Sequence, residues 1–457
     1  MERLDPHTEA ANLNEPRVKQ ENDPASKRAR IAAKARINPK EKFNNLMHLV
    51  TRELIEERLN KIPGKSATGV DRMTKEQAKA GFSWIVPPLV RDIHSGQYKA
   101  PPVRRVYIPK ASGGERPLGV PGIIDRSIQA AVASVLNEIY EQDFLPCSFG
   151  FRPKLSCHHA LATLNQAVDK CKLQFALEVD IRDFFGSINH EWMMKFLGHR
   201  ISDPRMLKII EGWLKAGVFE DKKVIEMEKG TPQGGSISPL LANIYLHYVL
   251  DLWFEKAVKP KLRGQARLVR YADDFVLLFA NPKDRKNVES LLKVRLGQFG
   301  LTVSDEKTHN TDLGYRENRG QDRRHVTFLG FTIFRKKMRN RNGVLTVFQT
   351  DGSRFRRAKA ALKVKMKKIM HRKIEDQVRL LNLSLVGHFN YYGMAGNGKT
   401  LTDFRLYTMR LWRKSLSRRS QKGKVSWQQL NEMIAKHRLV LPRTRIPYGA
   451  LQSYVRL

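Results

Sequence analysis

The spacing of apolar and polar positions changes several times along the 457 residues. Residues 1 to about 45 are polar and charged and read as an extension, partly helical or partly disordered. A helical period runs from Phe43 to Leu59, followed by a loop from Pro63 to Thr74. Strand-like residues Val103 to Ile108 lead into a turn at Ser112-Gly113-Gly114, and helical signals return from Arg126 to Tyr140. Strand, helix and hairpin patterns alternate from there to about Arg335. Beyond Thr350 the pattern is helical and basic. There is no internal repeat and no long low-complexity segment. The layout predicts a mixed α/β (α+β) core followed by a helical basic domain.

Charge sharpens this picture. Lys and Arg number 83 against 45 Asp and Glu, a net charge of +38. The pI is about 10.3. Such a balance implies a polyanionic partner, nucleic acid first and a membrane surface as the competing reading. No run of about 18 apolar residues and no signal-peptide pattern supports the membrane. From Arg354 to Leu457 there are 25 Lys and Arg against 4 Asp and Glu, a local net of +21. A merely solvated helix surface usually carries mixed signs, so this excess reads as a binding face. The stretch Ser26 to Arg36 is a smaller basic patch, either a passive tail or an RNA-contacting arm. Three cysteines, Cys147, Cys157 and Cys171, make neither a disulfide framework nor a four-cysteine zinc site, and a reducing cytoplasm fits them. His158 and His159 lack a second metal-binding pair and read as structural.

The chemistry concentrates at Tyr271-Ala272-Asp273-Asp274, flanked by the apolar runs Leu268-Val269 and Phe275 to Phe279. That pattern predicts strand, tight turn, strand, with two acids at the tip. Adjacent Asp pairs are commonly surface turns. In an apolar setting, however, two neighbouring carboxylates repel and lose solvation, and divalent cations relieve both costs. Polymerases use two such ions to activate a hydroxyl and to stabilise a leaving phosphate. A third acid is then required. Asp180 supplies it at the end of the apolar run Phe175 to Val179, with a helix N-cap as its alternative role. Asp183 is nearby, but helical geometry aims it elsewhere.

Longer strings give these acids a context. Gly69-Val-Asp71, Arg104-Arg-Val-Tyr-Ile-Pro-Lys110, Gly114-Glu-Arg-Pro-Leu-Gly-Val-Pro121, Ser148-Phe-Gly-Phe-Arg-Pro153, Gly230-Thr-Pro-Gln-Gly-Gly-Ser-Ile-Ser-Pro-Leu-Leu-Ala-Asn243 and Phe328-Leu-Gly-Phe331 occur in order. Together with the Tyr-x-Asp-Asp hairpin they resemble the group II intron reverse transcriptase/maturase family, of the bacterial type, over residues 45 to 420.

The resemblance implies a right-hand polymerase fold. Residues 1–45 would be the extension, 46–353 the fingers and palm, and 354–457 a helical thumb or maturase region. Asp180, Asp273 and Asp274 match the family's catalytic carboxylates, holding two Mg²⁺ with Mn²⁺ as a substitute, and the Ile181 carbonyl is a further metal ligand. Lys110 and Arg116 match cations that grip a triphosphate. Phe185 stands where a ring excludes a 2′-hydroxyl, with a plain core aromatic as its alternative. Gln233 beside Gly234-Gly235 matches a loop lying against the nucleotide, and Lys307 matches a site-adjacent palm lysine. Partners would be an RNA template, a DNA or RNA primer, dNTPs and a group II intron RNA, in a bacterial cytoplasm, with no membrane.

Two departures stand out. Val386-Gly387-His388 replaces the family's usual Arg-Gly-Trp, and Gly186 replaces a frequent Asp. The first weakens the inference of splicing assistance more than that of polymerisation. No nuclease pattern follows the thumb, so no endonuclease domain is expected. Two other readings stay open: an RNA-binding splicing cofactor with little polymerase activity, and a free-standing reverse transcriptase recruited to phage defence or DNA repair. Three convergent carboxylates have no use in a pure binder.

Overall fold

The structure is a computed structural model that describes residues 24–109, 113–220, 223–225, 227–231, 234–315, 324–338, 342–419 and 423–456. The described residues fall into two compact units, each built from several chain segments. One comprises those within 1–154, 181–258 and 291–303; the other comprises those within 155–180, 259–290 and 304–457.

The first unit is organised around the helix Ile123–Asp143, whose apolar face is almost wholly buried. A four-stranded sheet belongs to it, in the order Glu115–Val120, Val103–Pro109, Val218–Glu220, Lys223–Ile225. The basic stretch near the N-terminus is a helix, Pro24–Ile37. The chain that follows it is held by Arg200, which donates to the carbonyls of Ala35, Asn38 and Glu41 and pairs with Asp143 at 2.9 Å. The helix expected over Phe43–Leu59 is shorter. It begins at Arg52, capped by the Thr51 hydroxyl, which accepts from the Leu54 amide. The reason lies outside the local sequence. Phe43 makes a parallel bridge to Ile201, and the buried Asp203 carboxylate accepts the amides of Leu46 and Met47 at 2.7 and 3.1 Å. Those partners satisfy the backbone without a helical ladder.

The second unit contains an antiparallel sheet in the order His309–Asp312, Phe175–Val179, Asp274–Phe279, Ala266–Tyr271. Apart from Glu178 and the terminal Asp274, its two middle strands are apolar and largely buried on both faces, so their sequences run almost continuously hydrophobic. A second sheet, Val326–Phe328, Phe331–Lys337 and Val344–Thr350, leads into the helices Gly352–Ile369, Ile374–Tyr392, Gly398–Ser417 and Trp427–His437. These helices share one apolar cluster that includes Leu381, Leu385, Leu401 and Trp412. The Trp412 indole donates to Gln377 at 2.9 Å, so the one polar group of that side chain is satisfied inside the core. Arg354, Arg356, Arg357, Lys363, Lys367 and Lys368 all lie exposed on Gly352–Ile369. The three cysteines are free thiols.

Candidate active site

The adjacent acids sit where the alternation of the chain demands. Tyr271 and Asp274 face each other as the last pair of the Ala266–Tyr271 and Asp274–Phe279 ladder, leaving Ala272 and Asp273 as a two-residue turn. Ala272 takes φ 60°, the left-handed region that tight hairpin turns require. That conformation costs an alanine about 1 kcal/mol. Arg270 offsets it: fully buried, it donates from Nη1 to the Ala272 carbonyl at 2.9 Å and braces the turn from within. On the neighbouring strand Val179 is paired with Phe275. One residue further, the register brings Asp180 level with Asp274.

These carboxylates interact. The pKa of Asp274 is raised to about 7, by desolvation first and then by Asp273, Asp180 and Glu178, while a hydrogen bond from the Leu329 amide lowers it. Asp274 keeps solvent access at the hairpin tip, where the three neighbouring negative charges disfavour its ionised form. Asp180 meets a cation: Lys307 Nζ lies 3.1 Å from its Oδ2. The Asp180 carbonyl accepts from the Ser304 amide at 2.8 Å, and Ser304 in turn accepts from Lys307 and Thr308. That tight turn delivers the lysine to the acid.

Glu178 was not singled out in the sequence. It is buried two residues before Asp180, on the same face of the strand, and accepts from the Thr311 hydroxyl at 3.2 Å and the Thr327 amide at 2.8 Å. Its partners lie on other strands, so spacing along Phe175–Val179 alone does not single it out. Arg270 did have a signal, as a lone cation within an apolar strand.

Of the predicted residues, Asp180, Asp273, Asp274 and Lys307 come together in the second unit. Of the others, the described ones, Arg116, Ile181 and Phe185, belong to the first. Arg116 is exposed on Glu115–Val120, opposite Ile108. Ile181 is buried and paired with Val303. Phe185 is half-buried, packs edge-on against Phe184 at 5.4 Å, and accepts from the Thr231 amide through its carbonyl at 2.8 Å. Lys110 and Gln233 lie outside the described residues. Gly186 has a local reason: a Cβ there would stand 2.2 Å from Asp183 Oδ2, because Asp183 adopts φ 41°. His158 hydrogen-bonds the Tyr391 carbonyl at 2.8 Å and His159 completes the Ser156 cap, so both act structurally.

Among the described residues no group of three or more His, Cys, Asp and Glu is already set to hold a metal ion. Mg²⁺ in phosphoryl-transfer sites takes one or two carboxylates and completes its shell with substrate phosphate and water. An open cluster of mutually repelling acids, with Lys307 against Asp180, fits that use.

Comparison with known proteins identifies the family. The pattern of the family "Reverse transcriptase (RNA-dependent DNA polymerase)" matches residues 108–333. Protein YkfC of Escherichia coli is 32% identical over 358 residues, covering 69% of this chain and 94% of that protein. The group II intron-encoded protein LtrA of Lactococcus lactis is 29% identical over 400 residues, covering 70% of this chain and 65% of LtrA. A telomerase structure from Candida albicans aligns over 80% of this chain and 67% of that one, at TM-score 0.40 and 13% identity, a likeness too weak to add to these. The chain belongs to the group II intron reverse transcriptase/maturase family, RNA-directed DNA polymerases of right-hand fold that work with divalent metal ions.

Proposed function

We propose that this chain extends a primer 3′-hydroxyl with dNTPs on an RNA template, and that it binds and helps to splice a group II intron RNA. The observation that carries the reading is the hairpin that sets Asp273 and Asp274 beside Asp180 with Lys307 as counter-charge. Asp180, Asp273 and Asp274 would hold the metal ions, with the Ile181 carbonyl as a further ligand. When bound, two Mg²⁺, or Mn²⁺ in their place, acidify the primer hydroxyl and neutralise the leaving phosphate. Lys307 steadies Asp180 through the Nζ contact. Lys110 and Arg116 balance the charge of the triphosphate. Phe185 excludes the 2′-hydroxyl, and Gln233 lies against the nucleotide.

Residues 46–353 act as fingers and palm, and the helical region 354–457 as the thumb. Its exposed cations engage RNA phosphates. No helix among the described residues is long and apolar enough to cross a membrane, and we place the protein in the bacterial cytoplasm.

The test is single-nucleotide extension of a primer on an RNA template, with dNTPs or NTPs, with and without chelator. Incorporation of dNTPs that stops on chelation and returns with Mg²⁺ is expected. Extension indifferent to chelation would overturn the metal assignment. Faster splicing of an intron-containing precursor RNA in the presence of the protein tests the second half of the reading.

A further inference from the structure

The first unit holds a buried carboxylate that the reaction above does not use. Asp125, on the helix Ile123–Asp143, is 4% exposed. It accepts from three side chains. Tyr98 Oη donates to Oδ1 at 2.6 Å, Trp213 Nε1 donates to Oδ1 at 2.9 Å, and Gln129 Nε2 donates to Oδ2 at 2.8 Å. Burial pushes its pKa up and the three donors pull it back. A helix needs no such residue on its buried face, and desolvating a carboxylate is costly.

The consequence is visible one residue further along the network. A carboxylate only accepts, so it forces the Gln129 amide to present its NH₂ to Asp125 and its oxygen elsewhere. That oxygen accepts the backbone amide of Ser236 at 2.8 Å. Gly235 beside it has no room for a side chain, since a Cβ would lie 2.8 Å from Gln129 Oε1 and 2.9 Å from Ser238 Oγ. Gly234 takes φ 124°, and a Cβ there would meet the Gly119 carbonyl at 2.6 Å. At its other end the same loop is pinned beside Phe185. The Thr231 amide donates to the Phe185 carbonyl at 2.8 Å, and the Gly230 amide donates to the Ile188 carbonyl at 2.7 Å.

We infer that Asp125 and Gln129 are positioning residues for dNTP binding: Asp125 fixes the amide orientation of Gln129, and Gln129 anchors the glycine-containing loop at Gly235-Ser236. The inference rests on the reading of that loop as the nucleotide-contacting one. It assigns no chemistry to Asp125 itself.

The polarity of the relay makes it testable. In Asp125→Asn the retained oxygen still serves Tyr98 and Trp213, while the new NH₂ faces the Gln129 NH₂. The glutamine amide must turn over, and its NH₂ then opposes the Ser236 amide. Adding Gln129→Glu restores an acceptor toward both neighbours and returns the net charge to its original value. Steady-state extension is measured on a primer–RNA template for wild type, Asp125→Asn and Asp125→Asn/Gln129→Glu, with thermal stability and primer–template affinity measured alongside.

The expected result is a KM for dNTP raised about tenfold in Asp125→Asn, the value of one lost backbone anchor. Changes in kcat and in primer–template affinity are smaller, and the double variant returns near wild type. A folded Asp125→Asn with wild-type KM, or a raised KM that the second substitution leaves unrepaired, would overturn the inference. If Asp125→Asn does not fold, Gln129→Met carries the test, since it removes the anchor directly and should raise the same KM. Gln233→Ala separates the two levels. A wild-type KM in that variant refutes the loop reading, whereas a raised KM there with none in the Gln129 and Asp125 variants refutes only the relay.

Discussion

His388 carries a stability effect whose sign and size follow from its surroundings. It occupies the position where the family usually has Trp, and here it is buried on Ile374–Tyr392. Its ring stacks on Phe404 at 4.0 Å between centroids and lies 4.7 Å from Tyr392. Its Nε2 has no hydrogen-bond partner among the described residues. Desolvation pushes the pKa from 6.5 down to about 4. The unfolded chain therefore takes up a proton near pH 6.5 that the folded chain refuses. Stability from this group is full above pH 6.5 and is lost as pH falls toward 4. Integrated over that window the loss is about 3 kcal/mol, of which roughly 2 kcal/mol is gone by pH 5. His388→Phe removes both the titration and the unpaired nitrogen. It should be more stable than wild type at pH 8, and its advantage should widen by about 2 kcal/mol at pH 5. Urea unfolding of both proteins at the two pH values reads this as a difference, so carboxylates common to both cancel. An advantage that stays constant with pH would refute the reasoning.

Three further outcomes are expected. RNA affinity should fall steeply with salt, and replacing Arg354, Arg356 and Arg357 by Gln should reduce the log–log slope by about 2, at roughly 0.7 per single-strand phosphate contact; an unchanged slope would exclude this helix face from the interface. Phe185→Ala should raise incorporation of NTPs relative to dNTPs by at least about tenfold, read by competition on one template, and unchanged discrimination would make Phe185 a plain packing residue. Gly393→Ala should destabilise the helical region by about 1–3 kcal/mol, because a Cβ there would lie 2.4 Å from the Phe389 carbonyl and 3.0 Å from that of Arg443; wild-type unfolding by urea would show that the backbone yields more easily than these distances allow.

How much was legible in the sequence depended on how local the cause was. The Tyr271–Asp274 hairpin was readable because two apolar runs and a two-residue turn define it without help from elsewhere. Asp180 was readable as the acid ending another apolar run, and the helices beyond Thr350 from their period. The helix expected from Phe43 was cut back because Asp203, far along the chain, takes the amides of Leu46 and Met47. Glu178 and the Asp125–Gln129–Ser236 relay escaped notice for the same reason. Each is defined by partners on other elements, which spacing along one segment does not reveal. His388 read as a lost Trp, whereas the structure shows an aromatic ring still filling that space.

The most direct test of the central claim is primer extension on an RNA template with dNTPs and Mg²⁺, wild type beside Asp273→Ala, with RNA affinity measured for both. The account predicts extension by the wild type and none by the variant at equal RNA affinity. Extension that survives Asp273→Ala, or a folded, RNA-binding wild type that extends nothing, would contradict it.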